Sequence, residues 1–250
     1  RGHKMIIADY SAIEGVVLAW VSKDKTTLDL FRQGKDFYES NAISMGLYDG
    51  DRGPLKSVDP DLRQRVKVMS LGAQYRMGGQ RLGDLVDDLE LGKELVRLFR
   101  ELNPAVVSLW SRLETRILED SEGGKWRMPL PSGRSIRYEN IHTKEGKYGE
   151  EIWCQTSKDR SVRPINGGLL VENLVQGIAR DVLADALLKQ DGNPLWSLLW
   201  TIHDEIVFES EAQVAETASA EIKKLMEEPP SWASDLPLRV EPEITNKFKK

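Results

Sequence analysis

The sequence predicts an α+β fold, with helices grouped in the middle of the chain and sheet elements towards both ends, and three observations predict it. Apolar runs of strand length occur at residues 4–8, 195–202 and 236–240. Apolar residues at helical spacing fill residues 60–119 and 169–188. Between those stretches, residues 126–155 change to short strands and turns. Helices and strands segregate along the chain rather than alternating, which separates α+β from α/β.

Taken in order, residues 4–8 read as a short buried strand with Asp9 at its end. Ser11 reads as a helix N-cap, and Glu14 three residues on completes a capping box. That helix would carry Ile13, Val16, Val17 and Trp20 inward. Two shorter helices follow near 27–33 and 37–46, then a polar loop with Gly and Pro over 48–59. Pro60 suits the first turn of a helix running to about Met77, where Gly78-Gly79 stops it. Amphipathic helices over 85–102 and 104–119 are broken at Asn103-Pro104, and Gly123-Gly124 ends the helical region. Pro131-Ser132-Gly133 marks a turn among the strands that follow. A long helix over 169–188 precedes a β-hairpin, 195–202 and 205–209, turning at His203-Asp204. A helix over 212–227 and a last strand over 236–240 complete the chain.

Composition sets the outer bounds. A chain of 250 residues, 40% hydrophobic and 30% charged, can bury a sizeable core as one large domain or two small ones. No run approaches membrane-spanning length, so no membrane partner is expected. The single cysteine, Cys154, cannot form an internal disulfide, which fits a reducing cytosol. The net charge of -5 argues mildly against nucleic acid. Charge is segregated, however: Arg63, Arg65, Lys67, Arg76 and Arg81 fall in a stretch without acidic residues, and the tail ends in Lys247, Lys249 and Lys250.

Two constellations carry chemistry. Asp9 ends one strand and Asp204 sits at a hairpin turn. If those strands are neighbours, both carboxylates project from one sheet edge, where hard oxygen donors suit Mg²⁺. Two such ions can serve an in-line displacement at phosphorus. Glu205 is a third candidate, which alternation along the strand points away from Asp204. Alone, Asp9 is more often a helix cap and Asp204 a turn residue. The second constellation is a stripe at every fourth residue, Arg63, Lys67, Leu71 and Tyr75. Cations at one end and apolar and aromatic groups at the other match a nucleoside triphosphate laid along a helix. A solvated cationic end beside a half-buried apolar end fits the stripe equally well.

Three segments, in order and at suitable spacing, resemble the family A (DNA polymerase I type) polymerases. Asp9-Tyr10-Ser11-Ala12-Ile13-Glu14 is similar to motif A. Arg63, Lys67, Leu71-Gly72 and Tyr75 match motif B, and His203-Asp204-Glu205-Ile206-Val207 matches motif C. The likeness covers nearly the whole chain. It leans towards bacteriophage members through Val17-Leu18-Ala19-Trp20, Gly167-Gly168-Leu169-Leu170 and Pro230-x-Trp232-Ala233.

The resemblance implies a right-hand palm, an antiparallel sheet with helices, over residues 1–22 and 126–250, and helical fingers over 23–125. It implies Asp9, Asp204 and the Tyr10 main-chain carbonyl as ligands of two Mg²⁺ ions, with Glu205 in support. Arg63 and Lys67 would bind the incoming dNTP, Lys67 also protonating the pyrophosphate. Tyr38, Leu71 and Tyr10 would line the nucleotide, and Glu14 with Tyr75 would exclude a ribose 2′-hydroxyl. Gln176 and His203 would contact primer–template DNA. The activity implied is DNA-directed DNA synthesis in the cytoplasm, of the host for a phage-encoded chain.

The chain also departs from the bacterial pattern. Leu71 replaces an aromatic residue, losing about 0.5–1.5 kcal/mol of stacking. Tyr38 stands for a histidine, and Val16 for an arginine. Arg76 stands where glycine is common, and Gly168 where an arginine contacts DNA. Only eight residues precede the motif A likeness, whereas the family places a thumb and usually an exonuclease-like domain there. The expectation is therefore palm and fingers alone, with thumb and exonuclease absent and a separately encoded thumb-bearing polypeptide as partner. Weak grip on DNA and steep salt dependence follow for the isolated chain. Two other readings compete: a non-catalytic DNA-binding or assembly subunit, and a related single-subunit RNA polymerase, against which Glu14 argues.

Overall fold

Alternation in the first strand decides how the chain begins to fold. In β1 (His3–Tyr10) Ile6, Ala8 and Tyr10 are buried while Met5, Ile7 and Asp9 lie on the opposite face. The structure, a computed structural model, describes residues 2–146, 149–156 and 159–248. Arg1 and the tail residues Lys249 and Lys250 lie outside the described residues. Contacts divide the chain into two units, Arg1–Val17 with Gly177–Lys250 and Leu18–Gln176. The α+β class holds: both sheets are antiparallel, and most helices lie in sequence between the first strand and the strands of the second sheet.

The first unit is built on a four-stranded sheet of order β6-β7-β1-β8. Its other strands are β6 (Ser197–Ile202), β7 (Glu205–Glu211) and β8 (Val240–Thr245). One face is covered by α10 (Ala215–Glu227), whose Ala215, Ala218, Ser219, Ile222 and Met226 are buried at helical spacing. Tyr10 ties strand to helix by donating its hydroxyl to the Met226 carbonyl at 3.0 Å. Burial chiefly, with Asp185 nearby, pushes the Tyr10 phenol above its ordinary pKa.

The last strand falls later than the sequence predicts. Leu236 and Leu238 are buried, which mimics a strand signal, but the ladder with β1 begins at Val240. Pro242 is tolerated because β8 is an edge strand.

The second unit carries α2 (Lys25–Arg32), α3 (Phe37–Ser44), α4 (Leu55–Val58), α5 (Pro60–Gln74), α6 (Gly79–Val86), α7 (Leu89–Leu102) and α8 (Pro104–Glu119). A second sheet of order β2-β3-β4-β5 follows: β2 (Trp126–Pro129), β3 (Ser135–Gly146), β4 (Gly149–Thr156) and β5 (Asp159–Ile165). The expected single helix over 85–102 is two. Asp87 takes a left-handed φ of 54° and Asp88 caps α7, accepting from the Leu91 amide at 3.0 Å. Gly78-Gly79, expected only as a stop, opens α6, and a Cβ on Gly92 would come 2.2 Å from the Gly83 nitrogen, so these two helices pack backbone to backbone.

The helices α1 (Ile13–Ser22) and α9 (Gly167–Lys189) span the divisions between units. Residues 126–176, placed with the terminal sheet in the sequence reading, group with the central helices. Asn173 of α9 donates to the Tyr138 hydroxyl at 3.0 Å, and the Gly167 amide donates to Glu114 of α8 at 2.8 Å. Among the described residues no helix is long and apolar enough to cross a membrane.

Candidate active site

The carboxylates meet through strand register. In the β1–β7 ladder Asp9 is the partner of Glu205, and in the β1–β8 ladder it is the partner of Glu241. Directly opposed residues share a face, so Glu205 and Glu241 flank Asp9 on the side of the sheet away from Tyr10. Ile202 and Glu205 close the β6–β7 hairpin, leaving His203 and Asp204 as its two-residue turn. His203 takes a left-handed φ of 52°, as such tight turns require. Asp204 therefore stands one residue from the partner of Asp9, its Cα no more than about 9 Å from that of Asp9. Asp9, Asp204 and Glu205 are all half-buried, and His203 is exposed.

Glu205, expected in a supporting place, is thus the carboxylate set directly across from Asp9. Glu241 was missed because β8 was placed too early in the sequence. The capping box expected at Ser11 and Glu14 does not form. Ala12 takes a left-handed φ of 51°, α1 begins at Ile13, and the Ser11 amide donates to the Arg239 carbonyl at 2.9 Å. Glu14 consequently lies in the first turn of α1, half-buried. Val16, where an arginine is usual, is 1% exposed and belongs to the core.

The stripe on α5 is formed as the spacing predicts. Asp59 caps the helix by accepting from the Leu62 amide at 2.9 Å, and Pro60 occupies its first turn. Val66, Met69, Ser70, Ala73 and Gln74 are buried, leaving Arg63, Lys67, Leu71 and Tyr75 half-buried on an adjoining face. Arg63 donates through Nε at 2.8 Å and Nη2 at 2.7 Å to Oδ2 of Asp36. The other Asp36 oxygen caps α3, accepting from the amides of Tyr38 at 2.9 Å and Glu39 at 3.0 Å. The Tyr38 ring lies under both cations, 5.3 Å from Arg63 Cζ and 5.9 Å from Lys67 Nζ. Tyr38 thus offers the cations its ring face, an electrostatic attraction. Asp36 was also missed, although Asp36-x-x-Glu39 is itself a capping signal.

Gln176 is exposed on α9, in the same unit as α5. Two departures from the bacterial pattern touch one another. A Cβ on Gly168 would lie 2.6 Å from the Arg76 Cβ and 2.2 Å from the Tyr75 carbonyl oxygen. Arg76 fills the space a side chain at 168 would need.

The donors present are hard oxygens: Asp9, Asp204, Glu205 and the Tyr10 carbonyl. Among the described residues no group of three or more His, Cys, Asp or Glu side chains is arranged as a metal cage. Mg²⁺ does not require one, because it commonly takes one or two carboxylates and completes its shell with water and substrate phosphate.

Comparison with known proteins gives the family of the chain. The family model described as DNA polymerase family A matches residues 1–250. A DNA polymerase of Bacillus phage SP02 is 30% identical over 281 aligned positions, covering 100% of this chain and 42% of that protein. A thermostable DNA polymerase I of Thermus filiformis is 31% identical over 245 residues, covering 96% of this chain and 26% of that protein. The chain therefore spans less than half the length of these relatives. The polymerase domain of Pol1 from M. smegmatis, solved in complex with DNA primer-template and dNTP, shares the fold with a TM-score of 0.72. It is 22% identical, over 97% of this chain and 39% of that one. With the family model matched along its entire length, the chain belongs to DNA polymerase family A.

Proposed function

We propose that this chain is the nucleotidyl-transfer core of a DNA-directed DNA polymerase, adding dNTPs to a primer 3′-hydroxyl. The observation that carries the reading is the register that sets Asp9 opposite Glu205 with Asp204 beside it, in a family A chain. Bound at this edge, two Mg²⁺ ions would supply the positive charge that activates the attacking hydroxyl and stabilises the leaving oxygen. Asp9, Asp204 and the Tyr10 carbonyl hold them, and Glu205 adds negative charge next to Asp9. The bond formed joins the primer 3′-oxygen to the α-phosphorus, and the bond broken releases pyrophosphate.

Arg63 and Lys67 take the triphosphate, backed by the Tyr38 ring. The Lys67 ammonium is the proton donor to the leaving pyrophosphate. Leu71 fills space beside the nucleotide without stacking. Glu14 and Tyr75 each discriminate against a 2′-hydroxyl, and Gln176 and His203 each contact the primer–template. In this reading the sheet unit corresponds to the palm and α5 to the mobile fingers helix. Most of the catalytic effect is positioning and charge neutralisation.

A separate thumb-bearing part is proposed as partner, as the resemblance to family A polymerases implies. Primer extension with dNTPs, Mg²⁺ and low salt, with and without a thumb-bearing fragment of a relative, tests the reading. Extension supports it. DNA binding with no extension in either arm would instead favour a non-catalytic DNA-binding subunit, and preference for NTPs would favour RNA synthesis.

A further inference from the structure

The C-terminal end of α5 is held from three directions, all within the helical unit. The helix ends at Gln74, and Tyr75 caps it with φ -102° and ψ 27°. Arg76 then takes a left-handed φ of 64°, which a residue with a Cβ keeps only when its surroundings hold it there. Trp110 of α8 donates its indole N–H to the Gln74 carbonyl at 2.9 Å, a buried bond. Four residues on, on the same face of α8, Glu114 pairs with the Arg76 guanidinium through Oε1. The same oxygen accepts from the Gly167 amide at 2.8 Å, at the start of α9. Gly168 then brings its backbone against Tyr75, leaving 2.2 Å between a would-be Cβ and the Tyr75 carbonyl oxygen.

We propose that Glu114 is a positioning residue for Tyr75. By joining Arg76 to the first residue of α9 it fixes the last turn of α5, and so the place of the tyrosine ring. This rests on the polymerase reading, in which Tyr75 faces the sugar of the incoming nucleotide. The direction of a side chain follows the backbone dihedrals around it. Releasing Arg76 lets residue 76 leave the left-handed region and lets the helix end fray. Lys67 and Arg63 lie about two and three turns earlier and stay where they are. The loss should therefore fall on sugar discrimination rather than on triphosphate binding.

The test compares the full chain with Glu114→Ala and Glu114→Gln. Steady-state extension at low salt is measured with a dNTP and its matching rNTP, alongside melting and hydrogen exchange across residues 74–77. Glu114→Ala is expected to lower the dNTP:rNTP ratio of kcat/KM at least fivefold and to speed exchange at residues 75–77. Glu114→Gln keeps an acceptor for the Gly167 amide and for Arg76, and should recover most of both effects. An unchanged ratio and unchanged exchange in Glu114→Ala would overturn the proposal, as would equal losses for both nucleotides together with a lowered melting temperature. A wild-type chain that extends no primer would sink the polymerase reading and this proposal with it. Active wild type with an indifferent Glu114→Ala sinks the proposal alone.

Discussion

Asp9 and Glu205 are direct cross-strand partners, and Glu241 faces Asp9 from the strand on its other side. Like charges set opposite one another destabilise a ladder, each pair by a fraction of about 1 kcal/mol. A sheet selected only for stability would not place three carboxylates in one row. Asp9→Asn is therefore expected to melt at the same or a higher temperature than the wild type. Its primer extension should fall about a hundred- to a thousandfold, the size lost with one charge-stabilising group. Mg²⁺ should raise the melting temperature of the wild type more than that of Asp9→Asn, because a ligand bound to the native state stabilises it. Thermal melts with and without Mg²⁺, beside extension rates, check all three.

Asp36 serves two masters, capping α3 with one oxygen and anchoring Arg63 with the other. Losing a cap removes about 1 kcal/mol, and the partly buried ion pair adds about as much again. Asp36→Ala is expected to lose about 1–3 kcal/mol in urea denaturation. Its KM for dNTP should also rise, since Arg63 loses the group that orients its fork.

Gly168 offers a sharper steric test. Any Cβ there meets a backbone oxygen at 2.2 Å, so something must move. Gly168→Ala should cost about 1–3 kcal/mol, as overpacking does. Gly78, with nothing within 4 Å of its would-be Cβ, is the comparison. Gly78→Ala should lose less than about 1 kcal/mol, the range of a helix-cap change. Denaturant midpoints for the two variants read the difference.

Three buried acids set the behaviour at high pH. Burial pushes the Cys154 thiol from 9.0 up to about 11. It also raises the Tyr10 and Tyr138 phenols above their ordinary 10.0. Each group is held neutral in the native state, so its folded pKa exceeds its unfolded one. The native state therefore binds more protons at alkaline pH, and stability falls as pH rises. The loss should begin near pH 9 through Cys154 and deepen above pH 10 through the tyrosines. Denaturation midpoints at neutral and alkaline pH should show this, and Cys154→Ala should delay its onset. At pH 8 the native thiol should resist alkylation that the unfolded chain undergoes readily.

What could be read from residues alone was whatever local pattern decides. β1, the long helix α9 and the β6–β7 hairpin were legible because apolar runs of strand length and helical apolar spacing, with a two-residue turn, leave little choice. The stripe on α5 was legible for the same reason. The failures came where tertiary packing overrides a local signal. Ser11 and Glu14 have the letters of a capping box, but the pairing of Ser11 with Arg239 moves the helix start to Ile13. Leu236 and Leu238 are apolar because they are buried, not because they are strand residues. The strand β5 was overlooked, as its pattern includes Arg163 and Pro164. In the site, Asp9 and Asp204 were visible as candidates. Glu241 and Glu114 were not, since their meaning depends on register and on a contact between distant segments.

Extension of a primed template by the full chain at low salt, comparing wild type with Asp204→Ala, tests the central claim most directly. The expected result is Mg²⁺-dependent extension that prefers dNTPs, lost in Asp204→Ala while its melting temperature stays within a few degrees of wild type. Undiminished extension by Asp204→Ala would contradict it, as would a wild type that extends nothing even with a thumb-bearing fragment added.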